Sequence, residues 1–222
     1  MKRNAFITAL VGVLLTIPVC LSAQDKPDAL KTYRLGRDLE AQGRLPEANE
    51  RYETAVKICT EEIAVNPQNM DAYSVLTWSL LRQKKYRDTI DWGLKAIKAN
   101  PAEMRVLESV GEAYFYLDDY KESMKFFQRY VDGAPQGERV SVAYFFMGEI
   151  FRIQKRVKHA DIAYTTAVKL EPNLPLWWYR LASVREQGAE YASAVAAYER
   201  VLALNPNHRE AQEGLDRTKK RL

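Results

Sequence analysis

Residue types that carry chemistry are scarce in this 222-residue chain, which holds two cysteines and two histidines against 33 lysines and arginines and 29 aspartates and glutamates. His159 and His208 lie far apart with no second ligand at coordination spacing, so no metal site is expected. There is no glycine-rich phosphate loop, no HExxH pair and no GxSxG elbow. Nucleotide-loop, zincin and serine-hydrolase chemistry therefore lack their residues. Adjacent carboxylates such as Glu61-Glu62 and Asp118-Asp119 point apart on a helix or turn and read as solvated surface. Neither enzymatic activity nor a cofactor is expected. A net charge of +4 is too small to mark a nucleic-acid binder. Long apolar runs are also missing: the run from Ala5 to Val19 is about 15 residues and carries Pro18, whereas a spanning helix needs roughly 20.

That short run has another explanation. Lys2 and Arg3 precede it, Leu21-Ser22-Ala23 follow it, and polar sequence starts at Gln24, which is the order of a secretory signal. Residues 1–23 are expected to be a signal peptide cut after Ala23, leaving a mature chain that starts at Gln24 in the periplasm or cell envelope. An alternative is an acylated lipoprotein thiol at Cys20, though the bulky Val19 before it fits poorly. Membrane association is otherwise expected to be indirect. No Asn-X-Ser/Thr sequon occurs, and cleavage leaves Cys59 as the remaining thiol. Both points suit a bacterial periplasm and leave stability to packing alone.

What is present is a repeat. Pro67, Pro101, Pro135, Pro172 and Pro206 follow one another at 34, 34, 37 and 34 residues. Small residues recur at one offset (Gly36, Thr77, Gly111, Gly148, Ala182) and again twelve residues later (Ala48, Thr89, Ser123, Ala160, Ala194). Leu35, Leu76, Val110, Met147 and Leu181 precede the first set, and Tyr52, Phe127, Tyr164 and Tyr198 follow the second by four. Tyr73, Tyr114, Tyr144, Phe151 and Trp178 add an aromatic set. Spacings of three, four and seven place these side chains on one face of each of two helices per unit. The asparagine of each Asn-Pro step at 66, 100 and 205 is pushed out of the helical region and ends its unit.

This pattern resembles the tetratricopeptide repeat family, as in Tyr144-Met147-Gly148-Phe151-Ala160-Tyr164-Ala167-Pro172. The resemblance implies an all-α, right-handed solenoid of about five helical hairpins at 29–69, 70–103, 104–137, 141–174 and 175–206, closed by a capping helix at 207–222. The first unit carries seven extra residues, almost two turns, so its second helix lengthens without rotating its buried face: Ala48, Tyr52, Ala55, Cys59 and Ile63 continue one stripe. Cys59 is then a core residue. Gly133-Ala134-Pro135-Gln136-Gly137 is rich in turn formers, and a bend in the stack is expected there.

In such proteins the stripe one residue beyond the core stripe lines the inner, concave side. Here it includes Tyr33, Arg37, Trp78, Leu81, Arg105, Glu108, Glu112, Phe115, Phe145, Glu149, Arg152 and Tyr179, and over all five units it holds six acidic against three basic residues. The family's clamp for C-terminal carboxylates needs Lys and Asn in this stripe, which has neither. The expectation is a non-enzymatic protein- or peptide-binding scaffold of the bacterial envelope, with Trp78, Phe115 and Phe145 lining one continuous groove. The acidic excess predicts a partner segment with basic and apolar residues. The rival readings are a small hydrophobic ligand carried for a transport system, and self-association with Trp177 or Trp178 as an anchor. No nucleic-acid partner is expected.

Overall fold

The computed structural model describes residues 28–222, which form eleven α-helices and no strand. The signal peptide expected at 1–23, Cys20 and the new terminus at Gln24 lie outside the described residues. The helices pair as α1 (Ala29–Ala41) with α2 (Leu45–Val65), α3 (Met70–Arg82) with α4 (Tyr86–Ala99), and α5 (Met104–Tyr116) with α6 (Tyr120–Gly133). Next come α7 (Val140–Ile153) with α8 (Val157–Leu170) and α9 (Pro175–Gln187) with α10 (Tyr191–Leu204), before α11 (Arg209–Lys219) closes the stack. Each helix packs on its chain neighbours. The first helices also touch one another, α1 on α3, α3 on α5 and α5 on α7, so they build one wall of the solenoid.

Two turn types alternate. Inside each hairpin one residue takes the left-handed region: Gly43, Lys84, Asp118, Lys155 and Ala189, with φ between 58° and 75°. This lets the next amide reach the carbonyl five residues back, as Lys85 N to Leu80 O at 2.9 Å and Glu190 N to Arg185 O at 2.9 Å, which caps the helix end. A side chain in this region costs about 1 kcal/mol. Ala189→Gly should therefore raise stability by about 0.5 to 1 kcal/mol, readable as a higher denaturation midpoint. Between hairpins the backbone is extended instead, with φ of −133°, −139° and −141° at Asn66, Asn100 and Asn205. Each asparagine Oδ1 accepts from the amide two residues on, at 3.1, 3.1 and 3.2 Å.

The core repeats one contact. Tyr52, Phe127, Tyr164 and Tyr198 are at most 1% exposed, and each ring lies where a glycine leaves room. A Cβ built on Gly36, Gly148 or Gly214 would sit 2.6, 2.6 or 2.5 Å from the ring of Tyr52, Tyr164 or Tyr198. The second hairpin solves the same problem differently. Gly93 stands at its ring position, the buried Thr77 replaces the glycine, and Val110 of the next hairpin fills the gap. The long α2, 21 residues against 14 in α4, buries Ala48, Tyr52, Ala55, Cys59 and Ile63 on one face. Burial pushes the Cys59 thiol up to about 12, so it is protonated at neutral pH and acts as an apolar side chain.

Two expectations fail. Leu35 is 46% exposed although Leu76 and Val110 at its equivalent positions are fully buried. Val110 meets Gly93 of the preceding hairpin, and among the described residues α1 has no hairpin before it. At 177–178 it is Trp177 that is buried, while Trp178 is half-buried and donates its indole N–H to Pro172 O at 2.9 Å. A proline at its first position starts α9 at residue 175.

Candidate functional site

On the wall of first helices a cavity of about 720 Å³ opens between α1, α3 and α5, bounded by the start of α4 and the α6–α7 joint. Seven of the twelve expected residues line it: Tyr33, Arg37, Trp78, Leu81, Arg105, Glu108 and Glu112. A second hollow of about 980 Å³ shares Tyr33, Arg37, Trp78 and Arg105 with the first and extends it toward the start of α1. Helical spacing accounts for these placements: Glu108, Glu112 and Tyr116 are four apart on α5, and Trp78, Leu81 and Arg82 are three and four apart on α3.

Aromatic pairs stand in the wall. The Tyr33 and Trp78 rings are 5.6 Å apart and tilted by 38°, and Tyr86 stacks on Tyr116 at 4.9 Å and 18°. Tyr116 is 47% exposed, so its ring faces the opening. Sequence reasoning missed Tyr86 and Tyr116 because neither belongs to the inner stripe. Tyr86 opens a second helix, and Tyr116 ends α5 one residue past Phe115.

The remaining five expected residues lie elsewhere. Phe115 packs edge-on against Phe146 at 5.0 Å and 66°, and Phe145 stacks on Trp177 at 4.9 Å and 13°. Tyr179 stacks on His208 at the entry to α11, 5.0 Å away. Glu149 is 6% exposed, accepts from the Tyr164 hydroxyl and from an Arg152 N–H at 2.7 Å, and forms an ion pair with Arg180 at 2.9 Å. Phe115 and Phe145 thus pair with large rings of the next hairpin, outside the cavity that Trp78 lines.

The charge balance of the cavity differs from that of the stripe. Arginines outside the stripe meet its acids. Arg82 donates to Glu40 at 2.9 Å, where Tyr52 also donates at 2.6 Å. Burial raises the Glu40 carboxyl, but these two hydrogen bonds outweigh it and hold the group below the usual range. Arg217, Glu186 and Tyr198 repeat the trio in the last hairpin, with 2.6 Å between Arg217 Nε and Glu186 and 2.8 Å from Tyr198. The glutamate twelve residues before each tyrosine is a signal that the sequence carried. Arg105 is held by Glu103 at 2.7 Å and Asp71 at 2.8 Å. Arg139, just before α7, donates to the buried Glu108 at 2.7 Å. The cavity lining then contains five basic and four acidic side chains, not an acidic excess.

Two lining acids accept no hydrogen bond among the described residues, Glu112 and the exposed Glu138. Glu112 has 18% of its side chain exposed, lies 3.9 Å from Arg139, and accepts no hydrogen bond among the described residues. Burial, reinforced by Glu108, pushes its carboxyl up to about 7 against the pull of Arg139 and Arg82. Among the described residues no group of three His, Cys, Asp or Glu side chains could hold a metal, and no helix is long and apolar enough to cross a membrane.

Comparison with known proteins places these features. The sequence profile of the tetratricopeptide repeat matches residues 33–103, 141–174 and 178–208. Human protein O-mannosyl-transferase TMTC1 is 24% identical over 176 residues, covering 78% of this chain and 20% of that protein. The chain thus spans about a fifth of that relative's length. Among solved structures, pilF of Pseudomonas aeruginosa superposes with a TM-score of 0.68 at 18% identity, over 86% of this chain and 83% of that one. YrrB, described as a TPR protein with an unusual peptide-binding site, does so at 0.56 and 17%, over 86% and 94%. At these identities the structural likenesses show the fold.

Proposed function

From the chain's membership of the tetratricopeptide repeat family, we propose that it is a non-enzymatic scaffold that holds an extended segment of a partner protein in the inner-face cavity of its first three hairpins. The observation that carries this reading is the cavity itself. About 720 Å³ flanked by two aromatic pairs suits a few side chains of a peptide rather than a folded surface. The peptide-binding site named for YrrB supports the same class of ligand. Nine of the 18 lining residues are charged, which disfavours a small apolar ligand, and the lining contains no Ser, Thr, Cys or His to serve as nucleophile or imidazole base. The export reading of residues 1–23 supports placing this groove in the bacterial cell envelope. Intact-mass measurement of the envelope protein tests that placement: a chain starting at Gln24 supports it, and a mass that includes Met1 to Ala23 opposes it.

Trp78 and Phe145 separate groove from scaffold. Phages displaying random dodecapeptides, panned on the full chain, supply ligands whose affinity can then be measured on variants. Trp78→Ala should weaken the selected peptides by about 30-fold or more, because truncating a central aromatic commonly costs 2 kcal/mol or more, order of magnitude. Phe145→Ala should lower the denaturation midpoint while leaving peptide affinity within about twofold, since its ring is committed to Trp177. Equal affinities of wild type and Trp78→Ala would remove the cavity as the binding site.

A further inference from the structure

We propose that the cavity receives a cationic side chain, a lysine or arginine of the bound segment, against the carboxylate of Glu112 beside the Tyr86–Tyr116 ring pair. This rests on the peptide-binding reading above and names the chemistry of its ligand. The geometry has three parts. Glu112 and Tyr116 are four apart on α5 and share a face. The stacked rings of Tyr86 and Tyr116 line the same cavity as that carboxylate, near enough for its charge to disfavour ionisation of both phenols. Glu112 itself is four-fifths buried, accepts no hydrogen bond among the described residues, and meets Arg139 only at 3.9 Å.

The charged neighbours explain why the place is open. Arg82 at the end of α3 spends its fork on Glu40, and Arg139 before α7 spends its fork on Glu108. Arg105 is taken by Glu103 and Asp71. Tyr130 of α6 accepts from the Arg139 amide, Arg37 and Tyr33 of α1 stand across the cavity, and Lys84 of the α3–α4 turn and Glu138 of the α6–α7 joint complete its charged lining. The Glu112 oxygens accept no hydrogen bond from the described residues and are not among the chain's sealed polar atoms, so an incoming donor can reach them from the opening. A guanidinium or ammonium entering from the opening would supply hydrogen bonds and charge to Glu112 and a cation–π contact with Tyr116. Because this carboxyl rests near 7 in the free chain, binding a cation drives off its proton. Affinity should therefore rise with pH, by up to about tenfold per unit below about 7, and level off above it.

The test uses dodecapeptide panning on wild type and on Glu112→Gln, which keeps the side-chain shape. Peptides selected by wild type should be enriched in Lys or Arg beside apolar residues, and those selected by Glu112→Gln should keep the apolar enrichment and lose the basic one. Replacing the arginine of a selected peptide by citrulline should weaken it about tenfold or more on wild type, and the affinity of Glu112→Gln should be flat between pH 6 and 8. The citrulline arm leaves the protein unaltered, so it stands whatever the variant does to folding. Apolar enrichment alone, or equal binding of arginine and citrulline peptides, overturns the cation site and leaves the groove. Panning that enriches nothing overturns both.

Discussion

Replacing Gly148 with leucine should lower the stability of the chain by about 3 kcal/mol or more, at the top of the range for overpacked cores. The first added carbon would lie 2.6 Å from the Tyr164 ring, which is fully buried and anchored through its hydroxyl to Glu149. Moving that ring strains the contact of α7 with α8 and loosens Glu149 from Arg152 and Arg180, so the damage spreads to α9. For a chain of this size the loss corresponds to a fall of roughly 6 to 12 °C in Tm. Repeat stacks lose stability locally when one unit is weakened. Hydrogen exchange should therefore show the largest loss of protection in α7 and α8 and a smaller one in α1 to α4. Lys158→Leu, on the exposed face of α8, should change stability by less than about 0.5 kcal/mol. Equal effects of the two changes would show that Gly148 does not make the crossing.

The second large effect is a gain. Burial holds the Glu112 carboxyl at about 7, above its ordinary 4.5. The folded chain therefore binds this proton more tightly than the unfolded chain does. Such a group contributes fully to stability below about pH 4.5, and the contribution is lost as pH rises to about 7. At 1.36 kcal/mol per unit, the loss reaches at most about 3 kcal/mol, part of it shared with Glu108, whose carboxyl burial also raises. Glu112→Gln removes the ionisation. The variant should be more stable than wild type by about 1 to 3 kcal/mol at pH 8 and match it near pH 4.5, measured by urea denaturation across that range. A variant less stable than wild type at pH 8 would mean that the 3.9 Å approach of Arg139 outweighs the burial of Glu112. A carboxylate that destabilises the empty groove is also the group a bound cation would most favour, so the two experiments on Glu112→Gln probe one electrostatic imbalance from opposite sides.

The period of the prolines, the small residues at 148 and 160 and the continuous stripe of α2 were legible in the chain because each depends on residues a few turns apart on one helix or across one hairpin. That is why the hairpin order and the burial of Cys59 follow from spacing alone, whereas the seating of a ring on each glycine is seen only in the structure. The inner wall was legible as a stripe but not as a site. Whether a stripe residue meets solvent or a ring depends on what the next hairpin presents at that height: Phe145 meets Trp177, 32 positions on, whereas Trp78 meets Tyr33 and leaves a cavity beside it. Charge behaved in the same way. Arg82 and Arg139 lie off the stripe, at a helix end and in a joint, and reach Glu40 and Glu108 over 42 and 31 residues of chain. Local periodicity determines which face a side chain takes, but the rotation between successive hairpins selects its partner, and only that rotation left Glu112 facing the opening with Arg139 no nearer than 3.9 Å.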